Sequence, residues 1–264
     1  MDIDLQLIMN KVRRLAKETG AFIRTEGRSF SKEMIEYKGF NDLVSYVDKQ
    51  AEKQITSVLQ KILPEAGFVT EEGTISKTGK TFTWIVDPLD GTTNFAHGLP
   101  VFAVSIGLMH HDEIVLGVVY EINRDECFYA ISGEPACCND ATIHVSAETR
   151  LSGALLATGF SCYNFEKMPA YLQLLNSFME TTHGLRRMGS AAVDLVYVAC
   201  GRFEGFFEYN LNAWDVAAGA FIVQQAGGKV TDFSDGNNYI FGKEIAAACG
   251  VHNEMIRVIQ KHWK

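Results

Sequence analysis

Apolar residues at positions 5, 8, 12, 15, 16, 22 and 23 recur at the spacing of an amphipathic helix, and positions 43, 44, 47, 51, 55, 58, 59 and 62 repeat the pattern. Two helices, over residues 4–25 and 42–63, are therefore predicted to open the chain. Asn41 or Asp42 is placed to cap the second, and Pro64 marks its end. The segments GFVTEEG and TFTWIVDP then read as strands. Beyond Val101, three apolar runs separated by the polar turns HHDE and NRDE predict an antiparallel meander. From GALLATGF onward strands alternate with helices, over FEKMPAYLQLLNSFMETT, SAAVDLVYVAC, WDVAAGAFIVQQAG and residues 253–262, in the manner of an α/β layer. The pattern changes near residue 145. An N-terminal α+β lobe (residues 1–145) and a C-terminal α/β lobe (residues 146–264) are the expected organisation, with a site in the cleft between them.

Composition removes several function classes. The 264 residues are 47% hydrophobic, enough for a sizeable core, and carry a net charge of −8 with no Lys/Arg-rich run. Nucleic acid is not an expected ligand, because nothing offers a phosphate backbone an electrostatic footprint. No apolar run approaches the ~20 residues of a membrane span, and the N-terminus MDIDLQLIMNKVRRLAK is acidic and amphipathic, unlike a secretory signal. A cytoplasmic protein with no membrane partner is expected. The cysteines at 127, 137, 138, 162, 200 and 249 are scattered without a C-x-x-C spacing, so reduced, mostly buried thiols are expected. The histidines form no metal-binding cluster. The metal question passes to the carboxylates.

The stretch WIVDPLDGTTNFAHG, Trp84 to Gly98, places Asp87 and Asp90 behind an apolar β-type run. Pro88 has no ladder donor, so the strand is expected to end there, with both side chains of the Asp-Pro-Leu-Asp turn facing one point. Gly91, Thr92 and Thr93 then begin a short helix whose first N–H groups suit an anion that the aspartates would repel. A divalent cation between them removes the conflict. Glu71 and Glu72 end the strand GFVT, with Gly73 behind them. Asp215 opens an apolar helix, where a simple N-cap is an equally good reading. Asp48 shares a helical stripe with Val44, Ala51 and Ile55, and a charge on that face needs a partner; a satisfied buried salt bridge or a place at the edge of the face is the alternative. If these acids converge, hard cations must offset their repulsion, and oxygen-only ligands suit Mg²⁺.

WIVDPLDGTTNFAH and WDVAAGAFIVQQAGG resemble the two signature segments of the inositol monophosphatase family of magnesium-dependent, lithium-sensitive phosphatases. The similarity extends over nearly the whole chain, including NDLVSYVDKQAE, EEG and RRMGSAAVDLVYVACGRFEGFFE, and is strongest toward bacterial members. The resemblance implies a layered α/β/α/β/α sandwich, an α+β / α/β fold. It implies that Glu71, Asp87 and the Leu89 carbonyl bind one Mg²⁺, that Asp87, Asp90 and Asp215 bind a second, and that a third, weaker ion lies near Glu71; Glu72 is a further candidate site residue. Thr92 with Asp48 would orient and deprotonate the attacking water, while Asp90 and backbone groups of Gly91 and Thr92 would hold the substrate phosphate. Two ions can activate water and neutralise phosphoryl charge during in-line displacement. Polyol contacts are implied at Ala191 and Glu208, beside Gly189 and Ser190. Lys38 is implied in a mobile loop near the metals, although YKGFND is a residue shorter than the loop of the animal enzymes. Arg186 and Arg187 fit a substrate contact, a partner subunit or a surface salt bridge. A homodimer is expected from the family.

Family members hydrolyse inositol phosphates, fructose 1,6-bisphosphate, 3′-phosphoadenosine 5′-phosphate, histidinol phosphate or NADP on the same metal core. No extra basic cluster awaits a second phosphate, and Glu208 would repel one, so a polyol monoester, inositol 1-phosphate first, is the expected substrate. DPLDGT also approaches the D-x-D-G-T loop of haloacid dehalogenase phosphatases, but the two aspartates here are three apart and not two. An alternative of another class is a binding or regulatory protein that keeps the fold, as bacterial relatives associated with transcription complexes do.

Overall fold

The computed structural model describes residues 3–34, 36–39, 42–160 and 165–263. Helix α1 (Leu5–Gly27) buries Ile8, Val12, Leu15, Ala16 and Ile23, and the Asp4 carboxylate caps it by accepting from the Leu7 N–H at 2.9 Å. Strands β1 (Glu36–Gly39) and β2 (Asp42–Val44) form an antiparallel ribbon before helix α2 (Tyr46–Ile62). The second helix therefore starts later than its apolar spacing predicts, because Leu43 and Val44 fit the helical stripe yet pair as a strand. Ser45 is its N-cap: the hydroxyl accepts from Val47 N, and Asp48 at the third helical position accepts the Ser45 N–H at 2.9 Å. Asp42, expected from the sequence as a cap, lies in β2, and Asn41 falls outside the described residues.

A seven-stranded sheet follows, built from β3 (Gly67–Thr70), β4 (Phe82–Asp90), β5 (Ala103–His110), β6 (Glu113–Glu121), β7 (Glu126–Ile131), β8 (Cys137–Cys138) and β9 (Ala141–Thr142). Its strand order is the chain order, with β3 parallel to β4 and every later pair antiparallel. The predicted meander is present, extended by two dipeptide strands too short to show a period. Strand β4 does not stop at Pro88. Asp87 pairs with Ser105 and Asp90 with Ala103, so Pro88 and Leu89 together oppose Val104. This bulge absorbs the proline that cannot donate to the ladder, and a five-residue helix, α3 (Thr92–Ala96), follows.

A second sheet contains β10 (Leu155–Thr158), β11 (Gly184–Arg186), β12 (Gly205–Tyr209), β13 (Lys229–Thr231) and β14 (Glu244–Ala248) in the order β11-β10-β12-β14-β13. The remaining helices are α4 (Met168–Thr181), α5 (Ala191–Ala199), α6 (Ala213–Gln225) and α7 (His252–His262). Helices α1 and α2 cover the outer face of the larger sheet, α4 and α7 pack beside the smaller one, and α5 and α6 lie between the sheets. This is the layered α/β/α/β/α sandwich. All nine residues of α5 are buried, eight of them apolar or aromatic and the ninth Asp194. Helix α6 rides so close to β6 that a Cβ on Gly117 would stand 2.8 Å from the Ala218 carbonyl oxygen. One core cluster joins Ala103, Val119 and Phe128 to both inner helices and to Phe206 and Ala247.

Five cysteines are described and none is bridged; Cys127 and Cys249 are buried, and Cys137, Cys138 and Cys200 are half-buried. Cys162 lies outside the described residues. Among the described residues no helix is long and apolar enough to cross a membrane.

Candidate active site

The bulge in β4 decides the geometry of the acids. In a regular strand residues three apart point to opposite faces; one uncounted residue returns the second to the face of the first. Asp87 and Asp90 accordingly meet, and α6 brings Asp215 to them, so that one oxygen of each lies within 4.8 Å of the others. Ligands at about 2.1 Å around an octahedral ion stand about 3–4.2 Å apart, so this spacing is within a small adjustment of a Mg²⁺ shell.

Each of the three carboxylates is steadied from behind. Asp87 Oδ1 accepts from Leu89 N at 2.9 Å. Asp90 Oδ2 accepts from the Ser190 hydroxyl at 2.7 Å and from Ala192 N at 2.6 Å, which ties β4 to the start of α5. Asp215 Oδ2 accepts from Asn212 N at 2.6 Å, so Asp215 sits in the first turn of α6 and Asn212 is the N-cap. One oxygen of each is thereby fixed, the arrangement expected of partners that orient metal ligands.

The electrostatics fit the same picture. Burial, then the charges of Glu71, Asp90 and Asp215, push the Asp87 carboxyl well above its ordinary range. Asp215 is raised well above it by burial and by Asp90. Asp90 rises to about 6 through burial, opposed by its bonds to Ser190 and Ala192 and by Arg187. Such a group of oxygens ionises together readily only around a hard cation, and the donor set fits magnesium.

Glu71 belongs to this neighbourhood: its N–H donates to Val86 O at 3.3 Å, and its side chain is hydrogen-bonded to Asp87. Beside the acids, Thr92 at the first position of α3 has its hydroxyl 3.0 Å from Asp48 Oδ1 and 3.1 Å from Leu89 O. Asp48 is fully buried, and its second oxygen accepts from the Ser45 N–H and from the Ser45 hydroxyl at 2.6 Å. Its partners are hydroxyls and N–H groups, neither a salt bridge nor solvent at the edge of a face. Burial raises its carboxyl, with those hydrogen bonds in opposition. Gly91, at φ 99°, caps α3 where Val101 O and Phe102 would crowd a side chain.

A cavity of about 110 Å³ opens next to Asp90 and Asp215 and is lined by Gly189, Ser190, Ala191 and Glu208, the residues expected there, together with Arg187, Gly159 and Leu211. It is far smaller than the ~300–1,000 Å³ of pockets for drug-sized ligands, which suits a small polar molecule. Burial pushes the Glu208 carboxyl up to about 8, with Arg187 pulling it down and Asp90 raising it. The Gly159 backbone lies so close that a Cβ there would meet the Glu208 oxygens at 2.1 Å. Lys38 falls on strand β1 and not in a loop, and its side chain is outside what the structure describes.

Residues 4–264 match the sequence profile described as the Inositol monophosphatase family. The chain belongs to the inositol monophosphatase family. A protein of Haemophilus influenzae called Nus factor SuhB is 44% identical over 225 residues, 84% of each chain. The crystal structure of the extragenic suppressor protein suhB from Bartonella henselae superimposes with a TM-score of 0.92 at 40% identity, covering 97% of this chain and 99% of that one. The inositol monophosphatase of Anabaena sp. PCC 7120 superimposes with a TM-score of 0.86 at 32% identity, covering 98% of both. As an inositol monophosphatase family member, the chain shares a metal-dependent phosphatase fold, and Asp87, Asp90 and Asp215 form an acidic group able to hold a metal.

Sequence reasoning missed three features of this region. Gly159 carries no chemistry of its own and acts by leaving room. Asp194, buried in α5 with Oδ1 unpartnered, is raised well above its ordinary range by burial and by Glu208 and Asp90. Glu52, one turn beyond Asp48, is fully buried, and its place at i+4 on the same stripe was the available signal.

Proposed function

We propose that this chain is a Mg²⁺-dependent phosphomonoesterase acting on a small polyol or sugar phosphate, with inositol 1-phosphate the first candidate. The observation that carries the reading is the convergence of Asp87, Asp90 and Asp215 beside the Thr92–Asp48 hydrogen bond, at the mouth of a small polar cavity ending in Glu208. Glu71, Asp87, Asp90, Asp215 and the Leu89 carbonyl would hold two to three ions. Bound there, Mg²⁺ would supply Lewis acidity to the phosphate and to the incoming water.

The chain's own groups do the rest. Thr92 Oγ orients the attacking water and takes its proton while passing its own to Asp48 Oδ1. The Ser45 bonds hold that carboxylate in place, and its raised pKa makes it a better base than an exposed aspartate. The backbone N–H groups of Gly91 and Thr92 receive the phosphate, and Asp90 serves it as a metal ligand, since a bare carboxylate would repel it. Ser190 fixes Asp90, while Ala191 and Glu208 meet the ring hydroxyls, since a carboxyl group can accept from or donate to a hydroxyl. Arg187, aimed at the same cavity, balances Glu208.

The deciding experiment is phosphate release from inositol 1-phosphate, fructose 1,6-bisphosphate and 3′-phosphoadenosine 5′-phosphate, with and without Mg²⁺ and with added Li⁺. Preference for the inositol monoester, dependent on Mg²⁺ and inhibited by Li⁺, supports the reading. Absence of metal-dependent hydrolysis of every phosphate tested sinks it. The relatives' name, Nus factor, favours a second reading in which a cytoplasmic, homodimeric chain also serves a transcription complex; catalysis without any such association would leave the phosphatase alone.

A further inference from the structure

Of the buried carboxylates without a part in the chemistry, Glu52, Glu121 and Asp194, the first touches the chain nearest Glu71. Glu52 in α2 is fully buried and receives four hydrogen bonds from a single stretch of chain: Thr70 Oγ1 at 3.0 Å, Glu72 N at 2.7 Å, Thr74 N at 2.7 Å and Thr74 Oγ1 at 2.7 Å. Three of them reach Oε1, and Glu72 N reaches Oε2. Gly73, at φ 62°, supplies the left-handed residue that lets the N–H groups on either side of it point at one carboxylate. The residue enclosed by this grip is Glu71, whose own N–H is tied to Val86 on β4.

We propose that Glu52 is a positioning residue for Glu71. It holds the Thr70–Thr74 turn in the one conformation that presents the Glu71 carboxylate to Asp87. The proposal rests on the metal-dependent reading of the site. Helix α2 then serves both halves of it: Asp48 in the first turn engages Thr92, and Glu52 one turn later fixes the strand end that carries Glu71. A charged acceptor suits the task because it binds several N–H and O–H donors more strongly than a neutral one. Glutamine cannot replace it. Each oxygen takes a backbone N–H, so whichever way an amide turns, its NH₂ opposes an N–H.

The test is calorimetric titration of the metal-free full chain with Mg²⁺, alongside melting temperature and phosphate release at saturating Mg²⁺. Glu52→Gln should raise the Mg²⁺ dissociation constant by about 10–100-fold, the cost typical of losing a group that orients a metal ligand. Turnover at saturating Mg²⁺ should stay near that of the unaltered chain. Leu59→Ala, buried on the same helix away from the turn, should lower the melting temperature and leave the Mg²⁺ affinity unchanged. Unchanged affinity in Glu52→Gln, or an equal loss in Leu59→Ala, overturns the proposal. If Glu52→Gln fails to fold, Thr74→Val removes one of the four bonds; a several-fold weaker affinity supports the assignment and an unaltered one refutes it. Failure of the unaltered chain to bind Mg²⁺ would instead overturn the metal-dependent reading beneath it.

Discussion

The Thr92 hydroxyl and the Asp48 carboxylate, 44 positions apart in the chain, meet at 3.0 Å. The pair joins the first turn of α3 to the first turn of α2. If it relays the proton of the attacking water, Thr92→Val and Asp48→Asn should each lower kcat by about 10²–10⁴-fold while leaving Mg²⁺ affinity intact. The double variant should be little worse than either single one, because the two groups act as a unit. Burial raises Asp48, so the acid side of the kcat profile should fall at a pH above the ordinary aspartate range; steady-state rates across pH check both statements.

Asp87, Asp90 and Asp215 all have raised carboxyls in the folded chain, Asp90 to about 6, against an unfolded value of about 3.9. Stability from such groups is fully present below the unfolded value and is lost as pH rises through the folded one. In EDTA the melting temperature should therefore fall as pH rises from about 4 through about 6 and beyond, by on the order of 5 °C, and Mg²⁺ should restore it. A flat profile in EDTA would contradict the electrostatic reading of the cluster.

Asp90→Asn should keep the acceptor that Ser190 and Ala192 use and remove a negative charge from the cluster. Its melting temperature in EDTA at pH 7 should equal or exceed that of the unaltered chain, while Mg²⁺-dependent phosphate release is abolished. Retained turnover would refute the role given to Asp90.

Burial raises Glu208 to about 8, which favours its protonated form at neutral pH and removes the repulsion of a second phosphate that the sequence suggests. Glutamine is then its nearer mimic: Glu208→Gln should leave KM close to normal at pH 7. Glu208→Ala should raise KM by about 10–100-fold with less effect on kcat, the cost of a substrate hydroxyl left without its partner. Equal KM values for the two variants would count against the contact.

Gly159→Ala tests the same carboxyl from the other side. Its methyl group would stand 2.1 Å from both Glu208 oxygens, so Glu208 must swing away. KM should rise much as in Glu208→Ala, with the melting temperature little changed, in a comparison of kinetics and thermal unfolding.

The readable parts of the chain were those where a residue breaks a local pattern. Asp48 stood out because its stripe is otherwise apolar, and the paired segments around Asp87 and Asp215 combined an acid with a strand end or a helix start. The boundary at residue 45 was hidden, since Leu43 and Val44 obey the helical period and pair as a strand only because β1 lies beside them. Glu52 was missed for a related reason. Two of its four donors are backbone N–H groups of a distant turn, which leave no mark in composition, and a glutamate four residues from an aspartate on a helix ordinarily reads as solvated. The bulge at Pro88 and Leu89 was legible only as a break, because a proline announces that a ladder bond is missing without saying that the strand resumes.

That bulge makes the site depend on arithmetic parity. A β-strand counts in twos, and the acid pair counts in threes, so the pair shares a face only while one residue goes uncounted against Val104. Removing Leu89 would leave the chain free to run β4 straight, with the other strands of the sheet untouched and every acid still in the sequence. The two carboxylates would still share a face, now two residues apart, but the Leu89 carbonyl that accepts from the Thr92 hydroxyl at 3.1 Å would be gone: the uncounted residue is what admits a third oxygen between two acids without turning either of them away.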